Sequence, residues 1–107
     1  CCFRWGDTVG RTLLLVHATG FHARCWDQVI AHLPLDWNIV SVDMRGHGRS
    51  EKKGPYKWAQ FGSDLSEVTW QLGIKKAIGV GHSMGGYCVT EVAHLSPDVF
   101  SDLVLVL

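Results

Sequence analysis

The residue types best placed for chemistry fall in one short run, Gly81-His82-Ser83-Met84-Gly85. A serine with glycines two positions before and two after it, set between an apolar run and a helical pattern, fits a nucleophile on a sharp strand-to-helix turn. The requirement is steric. Such a turn closes only if the flanking positions are tiny, hence Gly81 and Gly85. Closing it lifts the Ser83 hydroxyl clear of the backbone, where a base can reach it. It also sets Ser83 at a helix N-terminus, whose free N–H groups favour developing negative charge. The chemistry is acyl transfer, in which the hydroxyl attacks a carbonyl and an oxyanion forms. One oxyanion donor is then the backbone N–H of Met84. The second is expected from the loop His17-Ala18-Thr19-Gly20-Phe21, and we assign it to Thr19.

Competing readings of the same residues are weaker. A bystander serine in a glycine-rich turn needs neither the strand before it nor the helix after it. A dinucleotide fingerprint opening at Gly79 and Gly81 would need a third glycine where Met84 stands, and an acidic residue closing a second strand about 20 positions on, and neither requirement is met. No Gly-Lys-Ser/Thr occurs, which excludes the phosphate-binding P-loop. His82 shares the turn with Ser83, and its side chain is expected to point away from it. His17 is expected to tie down its own turn, and His47, between two glycines, is not expected to serve as the base. Asp43 and Arg45 are expected to pair with each other or with backbone and hold their loop.

These residues need elements to position them. Cys1 to Trp5 reads as the tail of a strand. Thr12 to Val16 (TLLLV) is a continuous apolar run, the mark of a strand buried on both faces. Trp26, Val29, Ile30 and Leu33 fall at i, i+3, i+4 and i+7 and predict one helix, ended by Pro34. Ile39 to Val42 is a second buried strand, followed by a glycine-rich charged loop from Asp43 to Gly54. Phe61, Leu65, Val68 and Leu72 predict a second helix with Gly73 as its C-cap. Ala77 to Val80 is a third strand. A helix from Met84 carries Cys88, Val89, Val92 and Ala93 on one side and stops at Ser96-Pro97. Leu103 to Leu107 is a fourth strand. Gly86 is expected to let that last helix approach the sheet closely. The alternation implies an α/β fold, a mostly parallel sheet with helices on both faces and its site at the carboxyl ends of the strands.

Composition limits the function classes. In 107 residues, ten Lys+Arg balance ten Asp+Glu, so no basic footprint for nucleic acid appears. Apolar runs fall short of the ~18–20 residues that span a bilayer, so no membrane partner is expected. Cys1, Cys2, Cys25 and Cys88 form no metal-ligand or C-x-x-C spacing, and the six histidines form no metal pair, so neither metal nor cofactor is expected. The thiols read as reduced and mostly buried, which together with the lack of a leader points to a cytoplasmic protein. The five tryptophans read as core or helix-packing residues. The chain starts without Met and ends on Leu103-Val104-Leu105-Val106-Leu107, so a fragment is expected.

Three motifs stand in order along nearly the whole chain: LLLVHATGF, VDMRGHGRS and VGHSMGG. Together they resemble the α/β-hydrolase superfamily, in particular its small esterase-like and C–C-bond hydrolases. The resemblance implies Ser83 as nucleophile and Thr19 and Met84 as oxyanion donors. It implies structural roles for His17, Asp43, Arg45 and His47. Ala18 stands where the family usually has glycine, a small intrusion that the hole is expected to survive. Serine at 83 disfavours the dehalogenase and epoxide hydrolase chemistries, which use aspartate. The family's acid and histidine follow the serine on later strands, and its lid follows what reads as the sixth of eight strands. Residues 1–107 are therefore expected to form one partial domain lacking the later strands, triad partners and lid. Alone, they are expected to be inactive and poorly soluble. The parent is expected to be a serine hydrolase of a small-molecule acyl substrate. The alternative is a non-catalytic module of the same fold, or a truncated product.

Overall fold

The computed structural model describes residues 1–34 and 36–107. Five strands form one sheet in the order β1-β3-β2-β4-β5. They are β1 (Cys2–Gly6), β2 (Thr12–Val16), β3 (Asn38–Val42), β4 (Ala77–His82) and β5 (Phe100–Val106). Strand β1 pairs antiparallel to β3, and all other neighbours are parallel. Three helical elements connect them: α1 (Asp27–Ile30), preceded by a 3₁₀ turn at Ala23–Trp26, then α2 (Trp58–Gln71) and α3 (Met84–Leu95). The expected mostly parallel sheet with helices on both faces is what the chain forms.

The period of two along β2 separates the two faces. Leu14 and Val16 join Val40, Val42, Phe61, Leu65, Met84, Cys88, Val89 and Val92 beneath α2 and α3. Leu13 and Leu15 join Ile39 and Ile30 on the opposite face, with Trp5, Trp26 and Trp37 packed against them. Both faces of β2 are thereby dry, which is why it reads as an unbroken apolar run. Helix α2 buries Phe61, Leu65 and Thr69 and ends at Gly73, whose φ of +63° is the left-handed cap the glycine permits.

Several expectations need correction. The stripe Trp26, Val29, Ile30, Leu33 does not lie on one continuous helix. A 3₁₀ turn advances more per residue than an α-helix, so the stripe is not kept, and Val29 faces out, 46% exposed. Leu72 is likewise exposed at the end of α2. Strand β4 runs on to His82, and β5 begins at Phe100. The thiols are not mostly buried: Cys1, Cys2 and Cys25 are exposed and only Cys88 is buried. Cys2 lies on an edge strand and Cys25 on the outside of the 3₁₀ turn. Trp70 lies on the surface of α2, exposed and not core, whereas Trp58, also half-exposed, packs α2 against Tyr87 of α3 as a helix-packing residue. Among the described residues no helix is long and apolar enough to cross a membrane.

Candidate active site

Strand β4 ends at His82 and helix α3 begins at Met84, leaving Ser83 alone to make the turn. Its backbone sits at φ 53°, ψ −111°, a conformation that L-residues rarely adopt. The glycines explain how it closes. A Cβ on Gly81 would lie 2.3 Å from the Gly85 carbonyl oxygen, and one on Gly85 would lie 2.2 Å from the Val16 oxygen. Both clashes are with backbone, which cannot swing aside. At Gly86 the nearest atom would be 3.4 Å away, so the close approach expected of that glycine belongs to Gly81 and Gly85 instead. The Ser83 N–H donates to the Val106 carbonyl at 2.9 Å, pinning the turn to β5. Ser83 is exposed, whereas Met84, Gly85 and Gly86 are buried.

Met84 is the first residue of α3, where backbone N–H groups have no intrahelical acceptor. Its side chain is fully buried, so the core selects the side chain and leaves the N–H to the turn. The close contact of Gly85 with Val16 and His17 brings the end of β2 against the same turn. From there the chain makes a reverse turn in which the Phe21 N–H donates to Ala18 O at 3.1 Å. Thr19 and Gly20 are its central residues. Gly20 has φ +85° and Thr19 does not have positive φ, which defines type II geometry. The Gly20 and Phe21 amides are both engaged, while among the described residues no acceptor meets the Thr19 amide. The Phe21 ring lies 6.0 Å from that of His82, closing the first loop over the serine turn.

Two histidines lock this loop to the next one. His17 Nε2 accepts the Met44 N–H at 3.0 Å, so the ring proton is on Nδ1, which donates to Ala18 O at 2.7 Å. Burial holds its pKa below the ordinary value, against the pull of that carbonyl. His47 Nε2 accepts the Gly20 N–H at 3.0 Å, and its Nδ1 donates to Arg45 O at 2.8 Å. Each ring has spent both nitrogens, so neither is free to act as a base.

Asp43 and Arg45 do not pair with each other. The buried Asp43 carboxylate accepts the Ala23 N–H at 2.7 Å and the Arg49 N–H at 2.8 Å. Burial raises its pKa, but those two amides more than offset that and leave it below the usual carboxylate range. A Cβ on Gly48 would strike this carboxylate, which is why the loop needs glycine there. Arg45 instead forks onto Asp64 of α2, at 2.7 and 2.8 Å, with Gln60 also donating to that carboxylate. The Arg45 and Asp64 pairing, like the exchange between the two histidines, has no local sequence signal. Cys88 is fully buried beside Met84, and burial pushes its thiol up to about 12, so it is a packing residue. Beside Thr19 lies an open depression of about 410 Å³, walled by Tyr56, Trp58 and Phe61 and floored by Gly46 and His47. The Trp58 ring packs at a tilt of 51° on that of Tyr87, centroids 5.2 Å apart, one turn along α3 from Ser83.

Known proteins share this fold. Residues 13–107 match the model of the alpha/beta hydrolase family. An esterase of Mycobacterium tuberculosis is 34% identical over 105 residues, which covers 96% of this chain and 34% of the esterase. A serine hydrolase-like protein of Danio rerio is 30% identical over 104 residues, covering 94% of this chain and 32% of its own. The chain thus spans about a third of the length of these curated relatives. In three dimensions it is similar to a thermophilic esterase of Thermogutta terrifontis, with a TM-score of 0.86 and 27% identity over 98% of this chain and 39% of that one.

Proposed function

The chain belongs to the alpha/beta hydrolase family, and from that premise we propose that Ser83 is the nucleophile of a serine hydrolase acting on a carboxylic ester or related acyl compound. The observation that carries this reading is the exposed Ser83 held at φ 53° between two glycines that admit no Cβ. A protein has no packing reason to keep a surface serine in a strained conformation, and strain of this kind clusters at functional sites.

In the proposed mechanism Ser83 Oγ attacks the substrate carbonyl carbon and gives its proton to a general base. The N–H groups of Thr19 and Met84 receive the oxyanion as charge develops. Collapse of the intermediate expels the alcohol, which takes the proton from the base. Water then attacks the acyl-enzyme by the same route, releasing the acid and restoring Ser83. His17 and His47 are both committed to holding loops. Neither of these two is therefore the base, and the base and its carboxylate partner are assigned to the part of the relatives' length that this chain does not cover. The aromatic depression beside Thr19 suits an uncharged substrate group.

A fluorophosphonate probe tests the assignment directly. Full-length protein is expected to be labelled at Ser83, and Ser83→Ala to abolish both labelling and ester hydrolysis. Folded full-length protein that takes no label at Ser83 overturns it, and leaves a non-catalytic module of the same fold.

A further inference from the structure

Thr19 is bracketed by two imidazoles. On one side His17 Nδ1 holds the Ala18 carbonyl, and on the other His47 Nε2 holds the Gly20 amide at 3.0 Å. The second contact is the informative one, because His47 comes from the other loop. A reverse turn such as Ala18–Phe21 has two low-energy forms, which differ by a flip of its central peptide, here the Thr19 C=O with the Gly20 N–H, while the Thr19 N–H sits in the peptide before it and moves only if the turn as a whole shifts. The positive φ of Gly20 allows the type II form, and an acceptor on the Gly20 N–H side selects it. His47 is that acceptor. Its own orientation is fixed by Nδ1 on Arg45 O, by the His17 ring at 4.9 Å and by the Phe61 ring at 6.1 Å. Arg45 is in turn anchored on α2 through Asp64.

We infer that His47 is a positioning residue: its bond to the Gly20 N–H ties the turn that carries Thr19 to the loop after β3, and so holds the neighbouring Thr19 amide in place for the oxyanion. The inference rests on the reading of Ser83 and Thr19 given above and adds a residue that acts on the oxyanion through Gly20 and not by touching the reacting atoms. The role requires an acceptor at the Nε2 position, not a titrating base. Glutamine presents an amide oxygen at that reach and is expected to substitute, whereas alanine leaves the Gly20 N–H without a protein acceptor.

The test uses full-length protein with p-nitrophenyl acetate and the fluorophosphonate probe. His47→Ala is expected to lower kcat by about 10- to 100-fold, since a small misplacement of a transition-state donor costs on that order. KM should stay within about twofold, and labelling of Ser83 should slow in parallel with kcat. His47→Gln is expected to recover most of the loss. Wild-type kcat in His47→Ala overturns the inference. So does an equal loss in both variants that tracks their melting temperatures, because that is a packing role. If the wild-type protein takes no label, the fault lies with Ser83 as nucleophile. The Gly20 amide still reports in that case: exchange with deuterium as slow in His47→Ala as in the wild type overturns the inference on its own.

Discussion

The rings of His17 and His47 lie 4.9 Å apart, and each accepts an amide from the loop that carries the other. His17 takes Met44 N–H from the loop after β3, and His47 takes Gly20 N–H from the loop after β2. The two loops that end adjacent parallel strands are thereby cross-bolted beside Ser83. Both bonds use Nε2 as acceptor, so both rings must be neutral at that nitrogen for the lock to hold.

This lock makes stability depend on pH through His17. Burial keeps its folded pKa below the ordinary 6.5, while the unfolded chain takes up a proton near that value. Below about pH 6.5 the unfolded state therefore binds more protons than the folded one. The contribution of His17 is full above that pH and is lost progressively as pH falls toward the folded pKa. Melting temperature is expected to drop between about pH 7 and pH 5. His17→Gln, which keeps an acceptor for Met44 N–H but does not titrate, should show a shallower drop. Parallel curves for the two proteins would refute the assignment to His17.

Asp43 supplies a second, opposite-signed group to the same region. Its carboxylate receives two backbone N–H bonds, from Ala23 and Arg49, in a site where the residue is 4% exposed. Asparagine can accept only one of these and turns an NH₂ toward the other. Asp43→Asn is expected to cost about 1–3 kcal/mol, the range for a buried donor left without a partner. Because the folded pKa is depressed, the carboxylate's contribution is present above the unfolded pKa and disappears as pH falls through the folded one. Denaturant titration at neutral and at acid pH checks both statements: the gap between wild type and Asp43→Asn should narrow on acidification.

The glycines of the serine turn divide by what a methyl would meet. Gly85→Ala drives a Cβ to 2.2 Å from the Val16 oxygen, and Gly81→Ala to 2.3 Å from the Gly85 oxygen. Neither contact can relax without moving β2 or α3. Each is expected to cost about 3 kcal/mol or more, above the usual cost of overpacking, and to abolish labelling of Ser83. Gly86→Ala meets nothing nearer than 3.4 Å and lies within α3, where alanine is the better helix former by about 1 kcal/mol. Its melting temperature should stay near wild type. A Gly86→Ala variant as damaged as Gly85→Ala would show that the turn is not what these glycines serve.

The elements that carry continuous burial are legible in the sequence, and the polar contacts between them are not. Thr12 to Val16 announces itself because both faces of β2 are covered, and Gly73 marks the end of α2 because only glycine takes its φ of +63° cheaply. The serine turn is legible for the same steric reason. The first helix misleads because a 3.6-residue stripe appears in a segment whose first turn is 3₁₀, which sends Val29 outward. Burial of the thiols does not follow from residue type, since Cys2 sits on an edge strand. His17 with Met44, His47 with Gly20 and Arg45 with Asp64 are joined across 19 to 27 residues of sequence. Strand order brings them together, and no local spacing encodes it.

Strain at Ser83 gives a prediction that separates stability from activity. At φ 53°, ψ −111° a side chain is costly and glycine is not. Ser83→Gly is expected to raise stability by about 1 kcal/mol, the low end of what such a conformation stores, while removing all labelling and hydrolysis. Ser83→Ala removes the same hydroxyl but keeps the Cβ and the strain, so its melting temperature should stay close to wild type. The comparison is made by thermal denaturation of the three proteins under one condition. If Ser83→Gly melts no higher than Ser83→Ala, the turn holds no strain for glycine to release, and the main support for a functional serine at this position is lost. If it melts higher while both variants are inactive, the protein keeps a serine there at the expense of its own stability, as expected of a nucleophile.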